Sequence, residues 1–213
     1  MNIKNLVRLV SGLFLYAVGI VFTIQASLGV TPWNTFHQGI ALLTGISLGQ
    51  ALSLTGLAII ILNVFAKEKI GVGTILNMWL IGIFVDFIMK FSIIPNADSL
   101  ISGLFMIVIG MFTIATASWL YIGSELGAGP RDGLMVTLVR WTGKPVGLVR
   151  GSIELTVLIL GTLLGGQFGI GTPIMAFLIG PIVQLTFKVF RFDVKNVEHQ
   201  YLTLPASIKS VKE

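Results

Sequence analysis

The sequence predicts an all-α polytopic membrane protein: six transmembrane helices as an inverted 3+3 repeat, with two short re-entrant or interfacial helices between them. Three observations predict it. The 213 residues are 54% hydrophobic and only 11% charged, against about 25% charged in an ordinary soluble domain, and the mean hydropathy is +0.94. Six segments are apolar and long enough to cross a bilayer, which takes about 20 residues as a helix. Finally, a 98-residue offset overlays one half of the chain on the other without a gap.

The composition excludes most alternatives. A small soluble fold has too little interior to hide this much apolar surface, which rules out disorder, a nucleic-acid-binding module and a conventional soluble enzyme. The net charge of +5 would suggest nucleic acid in a soluble chain. In a membrane protein it reads as Lys and Arg retained in cytoplasmic loops. There is no cysteine and there are two histidines, His37 and His199, so no disulfide, metal site or cofactor is expected.

The predicted spans are Leu6–Ile24, Leu48–Phe65, Gly71–Phe91, Leu104–Ile122, Val146–Gly165 and Ile170–Phe190. Thr31–Leu43 and Arg131–Trp141 are too short to span. Lys4 and Arg8 precede the first span. Lys67 and Lys69 follow the second, Arg131, Arg140 and Lys144 lie between the fourth and fifth, and Lys188, Arg191 and Lys195 close the sixth. With six crossings all of these fall on the side of the N-terminus, which predicts a cell-membrane protein with both termini cytoplasmic. The first apolar run resembles a signal peptide but lacks a small-x-small cleavage site at Gln25-Ala26-Ser27, so a retained anchor is expected. Residues 193–213 are polar and are expected to form a cytoplasmic tail with little structure, or a short surface helix.

Residues 6–90 overlay 104–188, with 23 of 85 pairs identical. The Gly, Pro and Thr matches carry the argument, since apolar matches are inflated by composition. Gly29 and Pro32 meet Gly127 and Pro130; Gly49 meets Gly147; Gly71, Gly73 and Thr74 meet Gly169, Gly171 and Thr172. The repeats divide the chain into units 1–98 and 99–192. Three spans per unit is odd, so the two units should be inverted in the membrane, an arrangement that recurs in secondary transporters.

The two breaks read Leu28-Gly29-Val30-Thr31-Pro32-Trp33-Asn34 and Leu126-Gly127-Ala128-Gly129-Pro130-Arg131-Asp132. Gly ends one helix and Pro suits the first turn of the next. The new helix N-terminus favours an anion or a carbonyl oxygen; the competing reading is a plain corner capped by Asn34 or Asp132. The Gly-Pro-Arg-Asp-Gly-Leu-Met run at 129–135, with Leu-Gly-Val-Thr-Pro-Trp-Asn at 28–34, resembles the YczE/YyaS/YitT family of bacterial integral membrane proteins over nearly the whole chain except the tail. Asn34 stands where such proteins often carry Asp. The resemblance implies a multi-spanning cytoplasmic-membrane protein and no particular biochemical activity.

Ionisable residues inside spans usually face the bundle interior. Glu154 lies about 12 Å into the fifth span, with Arg150 one turn before it, as an ion pair or a functional pair. Asp86 precedes Lys90 by four residues and is expected to pair with it. The expected solute contacts are Pro32, Asn34, Glu125, Pro130, Arg131, Asp132 and Arg150, with Glu154 and Asp86 as proton-coupling carboxylates. His37, Trp33 and Trp141 read as interfacial. The Gly143/Gly147/Gly151 ladder and the Gly161/Gly165 pair are read as packing faces within the monomer, with a homodimer seam as the alternative. No enzyme motif is present. The functional expectation is therefore a secondary transporter of a small polar or anionic solute in the lipid bilayer, and the alternative is an accessory or scaffold protein that supports a partner complex.

Overall fold

A computed structural model describes residues 2–194 and 197–202. Eight helices account for most of them: α1 Ile3–Gln25, α2 Pro32–Thr44, α3 Leu48–Phe65, α4 Val72–Lys90, α5 Leu100–Ile122, α6 Pro130–Thr142, α7 Val146–Leu163 and α8 Gly171–Val189. All except α2 and α6 are long and apolar enough to cross a membrane. Among the described residues there is no strand. The predicted spans are recovered, with α1 and α5 each beginning a turn earlier than the apolar run, where Asn2 and Ser99 supply N-terminal side-chain caps. The tail beyond residue 202 lies outside the described residues.

Local signals set the remaining ends. Ser47 and Gln50 form a reciprocal capping box at the start of α3, satisfying two otherwise free N–H groups. The short helices both stop at a glycine in the left-handed region, Gly45 (φ 75°) and Gly143 (φ 64°), a backbone that other residues adopt only at a cost. Pro181 sits inside α8.

α1 and α5 cross at the centre, and glycines let their backbones meet. A Cβ on Gly12 would touch the Tyr121 backbone at 2.9 Å, and one on Gly110 would touch the Gly19 carbonyl at 3.0 Å. Leu9, Leu13, Val21, Val85 and Tyr121 form the main core around this crossing. The two helices run in opposite directions: Arg8 donates to the Trp119 carbonyl at 3.4 Å, and at the other end the Ala97 N–H donates to the Gln25 carbonyl at 2.8 Å. α4 flanks α1, and α8 flanks α5. Each short helix lies on a span of the other half. α2 rests on α7, where a Cβ on Gly161 would strike the Thr35–Phe36 backbone, and α6 rests on α3, where one on Gly133 would strike Asn63.

Many of these contacts recur in pairs 98 residues apart. The Gly73 N–H donates to the Leu126 carbonyl and the Gly171 N–H to the Leu28 carbonyl, both at 2.7 Å. The Gly71 N–H bonds Thr74 Oγ1 at 3.2 Å, and the Gly169 N–H bonds Thr172 Oγ1 at 3.3 Å. Each break is therefore closed by a span of the opposite half.

One seam departs from the pairing. α3 packs along α4 through Gly49 and Gly82, yet a Cβ on Gly147, Gly151 or Gly180 would meet no heavy atom within 4 Å. The expectation that Gly143, Gly147 and Gly151 pack within the monomer is thus corrected: α7 stands off α8, and Gly143 ends a helix. Gly161 does pack internally, against α2.

Candidate functional site

Both breaks bend in the same way. Ser27 and Glu125, equivalent under the offset, have φ 55° and 61°, and Gly29 and Gly127 follow at 100° and 123°. Thr31 and Gly129 are the N-caps, Pro32 and Pro130 open α2 and α6, and no side chain caps either helix. Asn34 is buried inside the first turn of α2, and Asp132 turns elsewhere. The reading of either residue as a cap is therefore corrected. Asp132 Oδ2 accepts from the Tyr121 hydroxyl at 2.9 Å, and that hydroxyl oxygen accepts from the Gly129 N–H at 3.0 Å. Asn63 Nδ2 donates to the Pro130 carbonyl at 2.9 Å. Together these bonds hold the start of α6 against α3 and α5.

The first turns of α2 and α6 converge inside the bundle. The Arg131 guanidinium lies over the Trp33 ring, 4.4 Å from its centroid. Trp33 Nε1–H donates to Glu154 Oε1 at 3.1 Å. Trp33 therefore joins the two charged residues, a cationic plane on its face and a carboxylate at its edge, and each contact suits the indole. Tyr16 of α1 packs against the main core.

Several expected partners do not form. Among the described residues an ion pair joins Arg140 to Glu68 at 2.7 Å. Arg150 and Glu154 are not paired, because Glu154 is drawn to Trp33 and Arg150 is exposed beside the open α7–α8 seam. Asp86 does not pair with Lys90. It accepts from the Ser47 hydroxyl and, at 2.8 Å, from the Gly49 N–H, and so binds the first turn of α3, where the helix dipole favours an anion. Neither of these bonds joins Asp86 to the Arg131 cluster. Glu125 contributes its carbonyl, which accepts from the Gln200 N–H at 2.7 Å.

Two interfacial readings are also corrected. Trp33 is 7% exposed, while Trp141, at 63%, fits its expected place. His37 is fully buried one turn after Trp33, and neither ring nitrogen has a hydrogen-bond partner. Trp33, Tyr16, Tyr121 and Asn63 were not among the expected site residues. Polar side chains inside spans, Tyr16 midway along α1 and Asn63 and Tyr121 in the last turns of α3 and α5, were the signal available for three of them.

A cavity of about 380 Å³ lies between α6 and α7, walled mainly by apolar side chains including Trp33, Leu134, Leu138, Leu148, Ile153 and Val157. Arg131 and Glu154 are not part of its wall. Trp33 belongs to both the cavity and the charged cluster. Among the described residues no group of three or more His, Cys, Asp or Glu could hold a metal ion.

Residues 3–188 match the model of a family of unknown function, DUF6198. An uncharacterized protein of Haemophilus influenzae is 34% identical over 186 residues, covering 87% of this chain and 84% of its own. The uncharacterized membrane protein YczE of Bacillus subtilis is 34% identical over 178 residues, 83% of this chain and 82% of its own. The uncharacterized protein YyaS of the same organism is 25% identical over 182 residues, 84% of this chain and 90% of its own. No solved structure matches the chain.

Proposed function

The chain belongs to the DUF6198 family of unknown function, and we propose that it is a secondary transporter of a small anionic solute in the cell membrane. The observation that carries this reading is the convergence of two helix N-termini, those of α2 and α6, on Arg131. Each N-terminus brings about half a positive charge and N–H groups that no side chain caps. Arg131 adds a full charge. With no carboxylate within 4 Å of it among the described residues, its N–H groups are available to a carboxylate or similar oxyanion. Half-helices that aim their N-termini at an anionic group are how many secondary transporters build a mid-membrane site.

The reading includes two inverted three-span repeats with both termini cytoplasmic. The antiparallel α1–α5 crossing and the exchanged contacts 98 residues apart support inversion. So does the gathering of Lys67, Lys69, Arg140 and Lys144 at the end of the bundle that holds the N-terminus. Glu154 is the carboxylate for proton coupling. It lies one indole away from Arg131, so a proton gained or lost there changes the field at the solute. Arg150, exposed at the open seam, is the outlying contact on the entry route.

The test is reconstitution into liposomes with a panel of small carboxylates and a proton gradient. Solute-dependent proton movement is expected. Arg131→Ala should remove solute binding, and Glu154→Gln should leave binding but uncouple it from the gradient. If both variants match the parent, the accessory or scaffold reading replaces this one, and the open α7–α8 face becomes the surface for a partner.

A further inference from the structure

The two halves carry the same helices in different arrangements. In the first half α3 lies on α4. A Cβ on Gly49 would collide with the Gly82 carbonyl and come within 2.6 Å of the Asp86 carboxylate, and one on Gly82 would reach Ser53 Oγ at 2.5 Å. Asp86 fastens this seam through Ser47 and Gly49, at the bundle end opposite the N-terminus. In the second half the corresponding residues are Gly147, Gly180, Gly151 and Gln184. A Cβ on any of these three glycines would meet nothing within 4 Å, and α7 and α8 are not among the helices that pack closely together.

A glycine inside a helix weakens it relative to alanine. At Gly49 and Gly82 the close helix approach accounts for it. At Gly147, Gly151 and Gly180 nothing in this arrangement does. The arrangement that would account for them is the one already seen 98 residues earlier.

We infer that this structure is one of two end states, and that in the other the halves exchange arrangements. α7 closes onto α8 through Gly147, Gly151 and Gly180; α3 leaves α4, and Asp86 releases Ser47 and Gly49. The geometry stands on the paired contacts, and its purpose, alternating access, rests on the transport reading. Closure changes the site in a definite way. Arg150 and Glu154 occupy the positions of Leu52 and Gly56; Leu52 is in the core, and a Cβ on Gly56 would touch Met78 of α4. Closing α7 therefore buries Arg150, which is exposed here. A buried guanidinium needs a counter-charge, so a bound anion favours closure, which is the coupling that a carrier of anions requires.

The chain has no cysteine, so Gly151→Cys/Gly180→Cys introduces its only thiols, at sites with room for them. A disulfide needs Cα atoms within about 7 Å, a separation expected only after closure. In membrane vesicles treated with a copper–phenanthroline oxidant, an intramolecular disulfide is expected to form slowly. Adding Asp86→Asn, which removes a charged latch, should speed it by about tenfold. Gly147→Cys/Gln184→Cys reads the same closure if the first pair disturbs folding. Two thiols in both pairs that stay fully reactive to maleimide after oxidation overturn the inference. Cross-linked dimers alone also overturn it, because a second copy then fills the gap. A cross-link that forms in protein that moves no solute keeps the two states and removes the transport reading.

Discussion

Replacing the same residue in the two halves should have opposite effects. Gly49→Ala places a methyl against the Gly82 carbonyl and the Asp86 carboxylate. α3 must move outward by about an ångström or more. Overpacking of this kind costs about 1–3 kcal/mol, and the displaced Asp86 bonds to Ser47 and Gly49 add roughly 1.5–3 kcal/mol. Alanine's helix preference returns about 1 kcal/mol. The net loss is about 2–5 kcal/mol, or roughly 4–20 °C in the midpoint for a chain of this size. Gly147→Ala meets nothing within 4 Å, so only the helix preference acts, and the midpoint should hold or rise by up to about 4 °C. The assay is intrinsic tryptophan fluorescence during heating of detergent-purified protein, at one fixed scan rate because membrane proteins often unfold irreversibly. Equal losses for the two variants would refute the reasoning, since α7 would then be packed on α8 in solution.

Three further outcomes are expected. Trp33→Phe removes the donor to Glu154 and should lower thermal stability by roughly 1–3 kcal/mol; the loss should shrink sharply in a Glu154→Met background, as a double-mutant cycle measures. Burial holds the His199 imidazole below its ordinary range, against the opposing pull of Asp132 and Glu125. The unfolded chain then takes the proton first, so stability is full above about pH 6.5 and declines as pH falls below it; midpoints between about pH 8 and pH 5 should show this decline and His199→Asn should flatten it. Reporter fusions after residues 68, 97, 143 and 167 should read cytoplasmic, external, cytoplasmic, external, and an external reading at 68 overturns the orientation.

The helices were legible because their causes are local. Apolar length marks the spans, and Pro32 and Pro130 mark the starts of the short helices, whereas Gly143, read as a packing position, instead ends α6. Glu154 was legible as a site candidate because charge in a span is costly wherever the chain goes, and Arg131 because it follows the Gly-Pro break that opens α6. Their partners were not legible. Spacing of four residues suggested Arg150 for Glu154 and Lys90 for Asp86, but a helix neighbour is only one competitor. Trp33, distant in sequence, reaches Glu154, and the free N–H groups at the start of α3 reach Asp86. Nor does a glycine ladder say whether its groove is filled. Gly49 and Gly147 look alike in sequence, and only the packing of α3 and α7 separates them.

The exchange of hydrogen bonds between breaks and spans also sets the order of events during synthesis. The Leu28 carbonyl has its partner in Gly171, and the Gly73 N–H has its partner in Leu126. At about 5–20 residues per second, the interval from Leu28 to Gly171 lasts roughly 7–30 s. For that time the first break must reside at the membrane with backbone groups that lipid cannot satisfy. Nascent chains that stop short of Gly171 should be prime substrates for membrane proteases. The two halves, made as separate fragments, should persist when co-expressed and vanish when either is made alone.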